Sequence, residues 1–146
     1  MYDRILIPTD GSDCATAAVE HALTVADRFD ATVHILYVVE TDLVGHSAPA
    51  LDPDSLRDAL RNQGETATAT IEERAADRGL ESVTSIVEGV PEDTILDYVG
   101  DEDIDLVVMG THGRRGLDRY LVGSVTERIV RRADVPVLAI HGEDES

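Results

Sequence analysis

Short apolar runs and longer segments of helical period take turns along this chain, and that alternation restricts the fold more than any other feature of the sequence. The first run, Arg4-Ile5-Leu6-Ile7-Pro8, is continuously apolar, as a parallel strand covered on both faces must be. Pro8 has no N–H for a ladder and belongs at the strand's end. Gly11 and Ser12 then supply turn and cap chemistry for a helix from about Asp13. Ala15, Ala18, Val19, Ala22, Leu23, Ala26 and Phe29 recur at three and four and make one apolar helix face. Residues 31–39, rich in β-branched side chains, read as the second strand. Residues 41–52 contain Gly45 and Pro49 and show no period; a loop of that length in a compact domain is more often functional than idle, and a lid is one use for it. Asp52-Pro53 opens the next helix, whose weaker stripe of Leu56, Leu60, Ala67, Ile71 and Ala75 runs towards Gly79, with Gly64 a place for a kink.

Residues 82–88 alternate more than the other strands, as an edge strand should. Pro91 starts a short helix that turns Ile95, Leu96 and Val99 inward and closes at Asp101-Glu102-Asp103. Residues 106–109 form the purest apolar run and so an interior strand, a fourth helix follows Ser124, residues 135–140 are the fifth strand, and 142–146 are an acidic tail. Strands that alternate with helices require right-handed βαβ units. The expected fold is therefore α/β: one domain over 1–146 with a five-stranded parallel sheet and helices on both faces. The pattern does not order the strands.

Between the fourth run and the fourth helix stands the stretch that carries chemistry, Gly110-Thr111-His112-Gly113-Arg114-Arg115-Gly116-Leu117-Asp118-Arg119-Tyr120-Leu121-Val122-Gly123-Ser124. Glycines at a strand exit let backbone N–H groups approach an anion, and a helix start offers unpaired donors and the positive end of its dipole. A P-loop would need a Lys-Ser/Thr pair after its last glycine, and a dinucleotide fingerprint would need Gly-x-Gly-x-x-Gly; both fail on residues. What remains is a nest of N–H groups with Arg114, Arg115, Arg119 and His112 nearby, suited to phosphate. Asp10 lies just past the first strand. It is placed for a nucleotide contact or a metal, while a nucleophilic role would need a second acid where Ser12 stands. No paired acids and no nucleophile–base arrangement can be assigned, so hydrolysis or autophosphorylation would at most be slow.

The spacing of Gly110, Gly113, Gly123 and Ser124 resembles the ATP-binding signature of the universal stress protein family, and Ile5-Leu6-Ile7-Pro8-Thr9-Asp10-Gly11-Ser12 and Val135-Pro136-Val137-Leu138-Ala139-Ile140 are similar to that family's first and last strands. The resemblance implies strand order 3-2-1-4-5, which brings Pro8, Thr9 and Asp10 to the same crevice as the glycine loop. It implies ATP as ligand, held by Pro8, Thr9, Asp10, Val38, Met109, Gly110, His112, Gly113, Arg114, Gly123, Ser124 and Val125, with magnesium arriving on the phosphates. It also implies a homodimer through Val135, Val137, Leu138, Ala139 and Ile140, whose apolar edge leaves N–H and C=O groups seeking a second strand. A dimeric interaction module without nucleotide would need the glycine loop damaged, and here it is intact. An adenylate-forming enzyme of the related α/β group would need His-x-Gly-His, which is missing.

Composition narrows the partners. The formal net charge is -18 and all 12 basic residues are arginine. Such a charge opposes nonspecific binding to nucleic acid or anionic membrane. Acidic enrichment without lysine resembles the proteins of salt-accumulating halophiles, in which a short Debye length mutes self-repulsion. No apolar run approaches a membrane span and no secretory pattern opens the chain, so a cytoplasmic protein is expected. Cys14 is the only cysteine, which excludes an intrachain disulfide; His21, His34, His46 and His141 lack metal-ligand spacing, and no protein-built metal site is expected. Charge repulsion should lower the melting temperature steeply as potassium chloride is diluted from molar towards about 0.1 M, where the Debye length reaches ~10 Å. A melting temperature independent of salt would refute the halophile reading.

Overall fold

The computed structural model describes residues 1–10, 13–40, 53–111 and 123–141. Strands β1 (Arg4–Thr9), β2 (Thr32–Glu40), β3 (Ser82–Gly89), β4 (Leu106–Gly110) and β5 (Val137–Ile140) form one sheet in the order β3-β2-β1-β4-β5, with every pairing parallel. Helices α1 (Asp13–Phe29), α2 (Pro53–Asp77), α3 (Pro91–Asp101) and α4 (Ser124–Arg132) alternate with the strands.

The period of two in β1 divides the core. Ile5 and Ile7 join Val33, Ile35 and Val108 under Ala18, Ala22 and Leu23 of α1 and Ile71 and Ala75 of α2. Leu6 points the other way, with Leu36, Val107 and Met109 under Ile95 and Val99 of α3 and Ile129 of α4. A continuous apolar run is what a strand with two such faces needs, since each buried Ile or Leu contributes about 1.5–3 kcal/mol. Tyr37, Val39 and Leu60 form a smaller cluster beneath the first half of α2.

Local departures from the sequence pattern have physical causes. Phe29, on the periodic face of α1, is the last residue of that helix and stays 43% exposed; its ring meets Tyr2 edge to face at 5.1 Å and covers the chain start. Asp30 then turns the chain with φ 54. Helix α2 runs unbroken through Gly64, because that glycine answers a neighbour rather than a kink: a Cβ there would stand 2.7 Å from the Tyr37 ring. The fifth strand begins at Val137 instead of Val135. Pro136 lacks an N–H and contributes only its carbonyl, which accepts from Val107 N–H at 3.0 Å. Residues 41–52 and the tail 142–146 lie outside the described residues.

Ion pairs tie helices across each face. Arg74 and Arg78 of α2 share Glu20 of α1, and Arg128 and Arg132 of α4 share Glu92 of α3. A polar side-chain pair also sits inside. His34 of β2 is buried, and its Nδ1 lies 2.8 Å from the Tyr98 hydroxyl of α3. Burial lowers the His34 pKa and Arg4 adds to this, against the opposing pull of Glu102; burial also raises the Tyr98 pKa. The unfolded chain therefore takes up the proton first, and the stability His34 contributes is complete above its ordinary pKa of 6.5 and is lost as pH falls below it. Denaturant melts at descending pH should show a steeper loss for the unaltered protein than for His34→Asn. Equal slopes would refute the assignment.

Candidate functional site

Strands β1 and β4 are paired only at Ile5 opposite Leu106 and Leu6 opposite Val107. Beyond that point β1 stays with β2 as far as Thr9 opposite Tyr37, while β4 stays with β5 as far as Gly110 opposite Ile140. Two neighbouring strands that leave each other for outer partners open a crevice at their carboxyl ends, the switch point at which open α/β sheets bind ligands. The other end is closed. There the Asp105 carboxylate accepts from the N–H groups of Asp3 and Arg4 at 2.9 and 3.0 Å, and Asp105 N–H donates to the Arg4 carbonyl at 2.9 Å.

Side-chain alternation decides which expected site residues share the crevice. Pro8, Val38 and Met109 follow Leu6, Leu36 and Val107 onto the α3/α4 face, and Val38 and Val125 pack half-buried against that core. They make an apolar wall beside Asp10, which is half-buried just beyond β1. Thr9 follows Ile5 and Ile7 to the opposite face. There it lines an open cleft of about 190 Å³ with Thr16, Val19, Thr66, Ala67, Thr70, Ile71 and Arg74. That cleft has an apolar floor and an occupied rim: Thr66 and Thr70 donate to the carbonyls of Asn62 and Thr66, and Arg74 pairs with Glu20.

The glycine stretch leaves and rejoins the described structure at adjoining points. Gly123 N–H donates to the Thr111 carbonyl at 2.6 Å, and Thr111 N–H donates to the Ile140 carbonyl at 2.9 Å. Gly123 is the N-cap of α4, extended at φ -63 and ψ 155, with no side-chain cap. The first intrahelical bond is Glu127 N–H to the Gly123 carbonyl at 2.9 Å, so the N–H groups of Ser124, Val125 and Thr126 have no partner within the helix. Ser124 is exposed at this end, where the helix dipole is positive. His112, Gly113 and Arg114 lie outside the described residues, as do Arg115 and Arg119.

Thr126 was not singled out by the sequence, yet its buried hydroxyl donates to the Gly110 carbonyl at 2.7 Å. Val107 and Thr111 turn their N–H groups towards β5, so the peptide groups of the even residues between them turn towards β1. At Gly110 the β1 strand has already left, and the Thr126 hydroxyl occupies the missing partner's place. The signal available in the sequence was a β-branched hydroxyl residue three before Ile129, on the buried face of the helix. Among the described residues no His, Cys, Asp and Glu cluster suits a metal ion, and no helix is long and apolar enough to cross a membrane.

Residues 1–141 match the model of the universal stress protein family. A universal stress protein of Methanocaldococcus jannaschii is 38% identical over 141 residues, covering 96% of this chain and 82% of that one. Among solved structures, universal stress protein UspA from Lactobacillus plantarum is 36% identical with a TM-score of 0.85, covering 95% of this chain and 97% of its own. A universal stress protein solved in complex with cAMP is 25% identical with a TM-score of 0.75, covering 97% and 99%.

Proposed function

The chain belongs to the universal stress protein family, and from that premise we propose that it binds ATP in the crevice between β1 and β4 and acts as a cytoplasmic, nucleotide-dependent regulator of a stress response, with slow or no hydrolysis. The observation that carries the reading is the early end of the β1–β4 pairing beside the uncapped start of α4. The apolar side chains of Pro8, Val38 and Met109 suit an adenine ring, and Asp10 suits its amino group or the ribose. The N–H groups of Ser124, Val125 and Thr126 suit phosphate, with Gly110, Gly113, Gly123, His112 and Arg114 as the sequence-derived remainder and magnesium carried on the phosphates. The cAMP complex of a relative supports an adenine nucleotide as the ligand class.

Replacing Gly113 by valine should abolish ATP binding measured by calorimetry in molar potassium chloride. Ser124→Ala should weaken it by about 0.5–1.5 kcal/mol through one lost hydroxyl. An unaltered protein that binds no ATP, or a Gly113→Val variant that binds equally, would refute the nucleotide reading in favour of an interaction module.

A homodimer through β5 completes the proposal. Val135 and Val137 pack half-buried on the α3/α4 core and Ile140 on the opposite one, while Leu138 is exposed at the sheet edge beside Ala139. A second copy across a two-fold axis would pair that edge and cover Leu138. Leu138→Lys should convert a dimer to a monomer in sedimentation while leaving ATP binding intact; a monomeric unaltered protein would exclude the dimer.

A further inference from the structure

We propose that Thr126 is the positioning residue of the site: by holding Gly110 it sets where the first N–H groups of α4 meet the phosphates. The proposal rests on the nucleotide reading and adds a residue that touches no ligand through its side chain. Helix α4 is held to the end of β4 by non-covalent contacts. Gly123 N–H on the Thr111 carbonyl holds one point of the helix start to the end of β4. The body of the helix is seated by Ile129 in the core and by Arg128 and Arg132 on Glu92. At its start the Thr126 hydroxyl on the Gly110 carbonyl, one turn further along, supplies a second hold on the same strand end and sets how close the first N–H groups lie to it.

The bond is buried, with Thr126 3% exposed, so water does not readily replace it. A β-branched side chain also has few rotamers in a helix, so the position of the hydroxyl transmits directly to the backbone. Opposite it, Gly110 lies beyond the last pair of the β1–β4 ladder, so among the described strands β1 gives it no ladder partner. Removing the hydroxyl would leave that carbonyl without this donor and free the helix start to tilt. The adenine side of the crevice, built on the strand residues Pro8, Val38 and Met109, does not depend on this contact. Phosphate affinity and nucleoside affinity should therefore separate.

Calorimetry in molar potassium chloride on the full chain, with ATP and with adenosine, tests this in Thr126→Val and Thr126→Ser. The valine variant keeps shape and loses the hydroxyl; it should lose about tenfold in ATP affinity, the value of one hydrogen bond, and keep its adenosine affinity. The serine variant should restore ATP binding. Unchanged ATP affinity in Thr126→Val, or an equal loss for ATP and adenosine, would overturn the proposal, since a merely structural role would weaken both ligands together. Hydrogen exchange without ligand separates this from a failure of the nucleotide reading: faster exchange at Glu127, whose N–H makes the first bond of the helix, in Thr126→Val, reversed in Thr126→Ser, supports the positioning contact. Unchanged exchange overturns it. An unaltered protein that binds neither ATP nor adenosine overturns the nucleotide reading, and the exchange arm then still decides the contact.

Discussion

A parallel ladder that ends before its strands do leaves peptide groups facing a gap, and buried groups of that kind must find partners elsewhere. In this sheet the gap lies at the centre, because β1 and β4 pair over two positions and then part. The chain answers with a contact from outside the ladder: the Thr126 hydroxyl takes the Gly110 carbonyl. On the β5 side the Ile140 carbonyl takes Thr111 N–H, and Gly123 N–H takes the Thr111 carbonyl. At the opposite end Asp105 gathers the N–H groups of Asp3 and Arg4, so the seam is tightest where the crevice is absent. The start of α4 and the wall of the crevice are thus set by the same interruption.

The layered architecture was legible in the sequence because burial on two faces leaves a continuous apolar run and burial on one leaves a period. Pro53 and Pro91 marked helix starts for the same kind of local reason. What period cannot report is who stands across from a residue. Gly64 reads as a weak point along its own helix, and only the Tyr37 ring beneath it explains its size. Phe29 keeps the spacing of the buried face but sits at the helix end, against Tyr2. The order of the strands was implied by the family's signature and not by the runs, since pairing between strands distant in sequence leaves no mark on either one. Thr126 escaped notice because its meaning depends on where β1 stops. Thr9 and Pro8, neighbours in the motif, serve opposite faces of the sheet, a division that the alternation of side chains along β1 dictates by itself.

An anionic ligand on a chain of net charge -18 needs attraction at short range to outlast repulsion at long range. In molar salt the Debye length shrinks to about 3 Å, which removes most of the distant repulsion and spares contacts made at hydrogen-bonding distance. Under the nucleotide reading, a site built from backbone N–H groups at a helix start suits this setting. Those backbone donors carry no net charge of their own and work only at contact.

The two ends of α4 are fastened by different chemistry. Its start is held by a buried hydroxyl and a backbone N–H, its end by Arg128 and Arg132 on the Glu92 carboxylate, with both arginines more than half exposed. Dissolved ions reach the second fastening and not the first. A rise in ionic strength therefore weakens the far fastening and leaves the near one, at the mouth of the crevice, as it was.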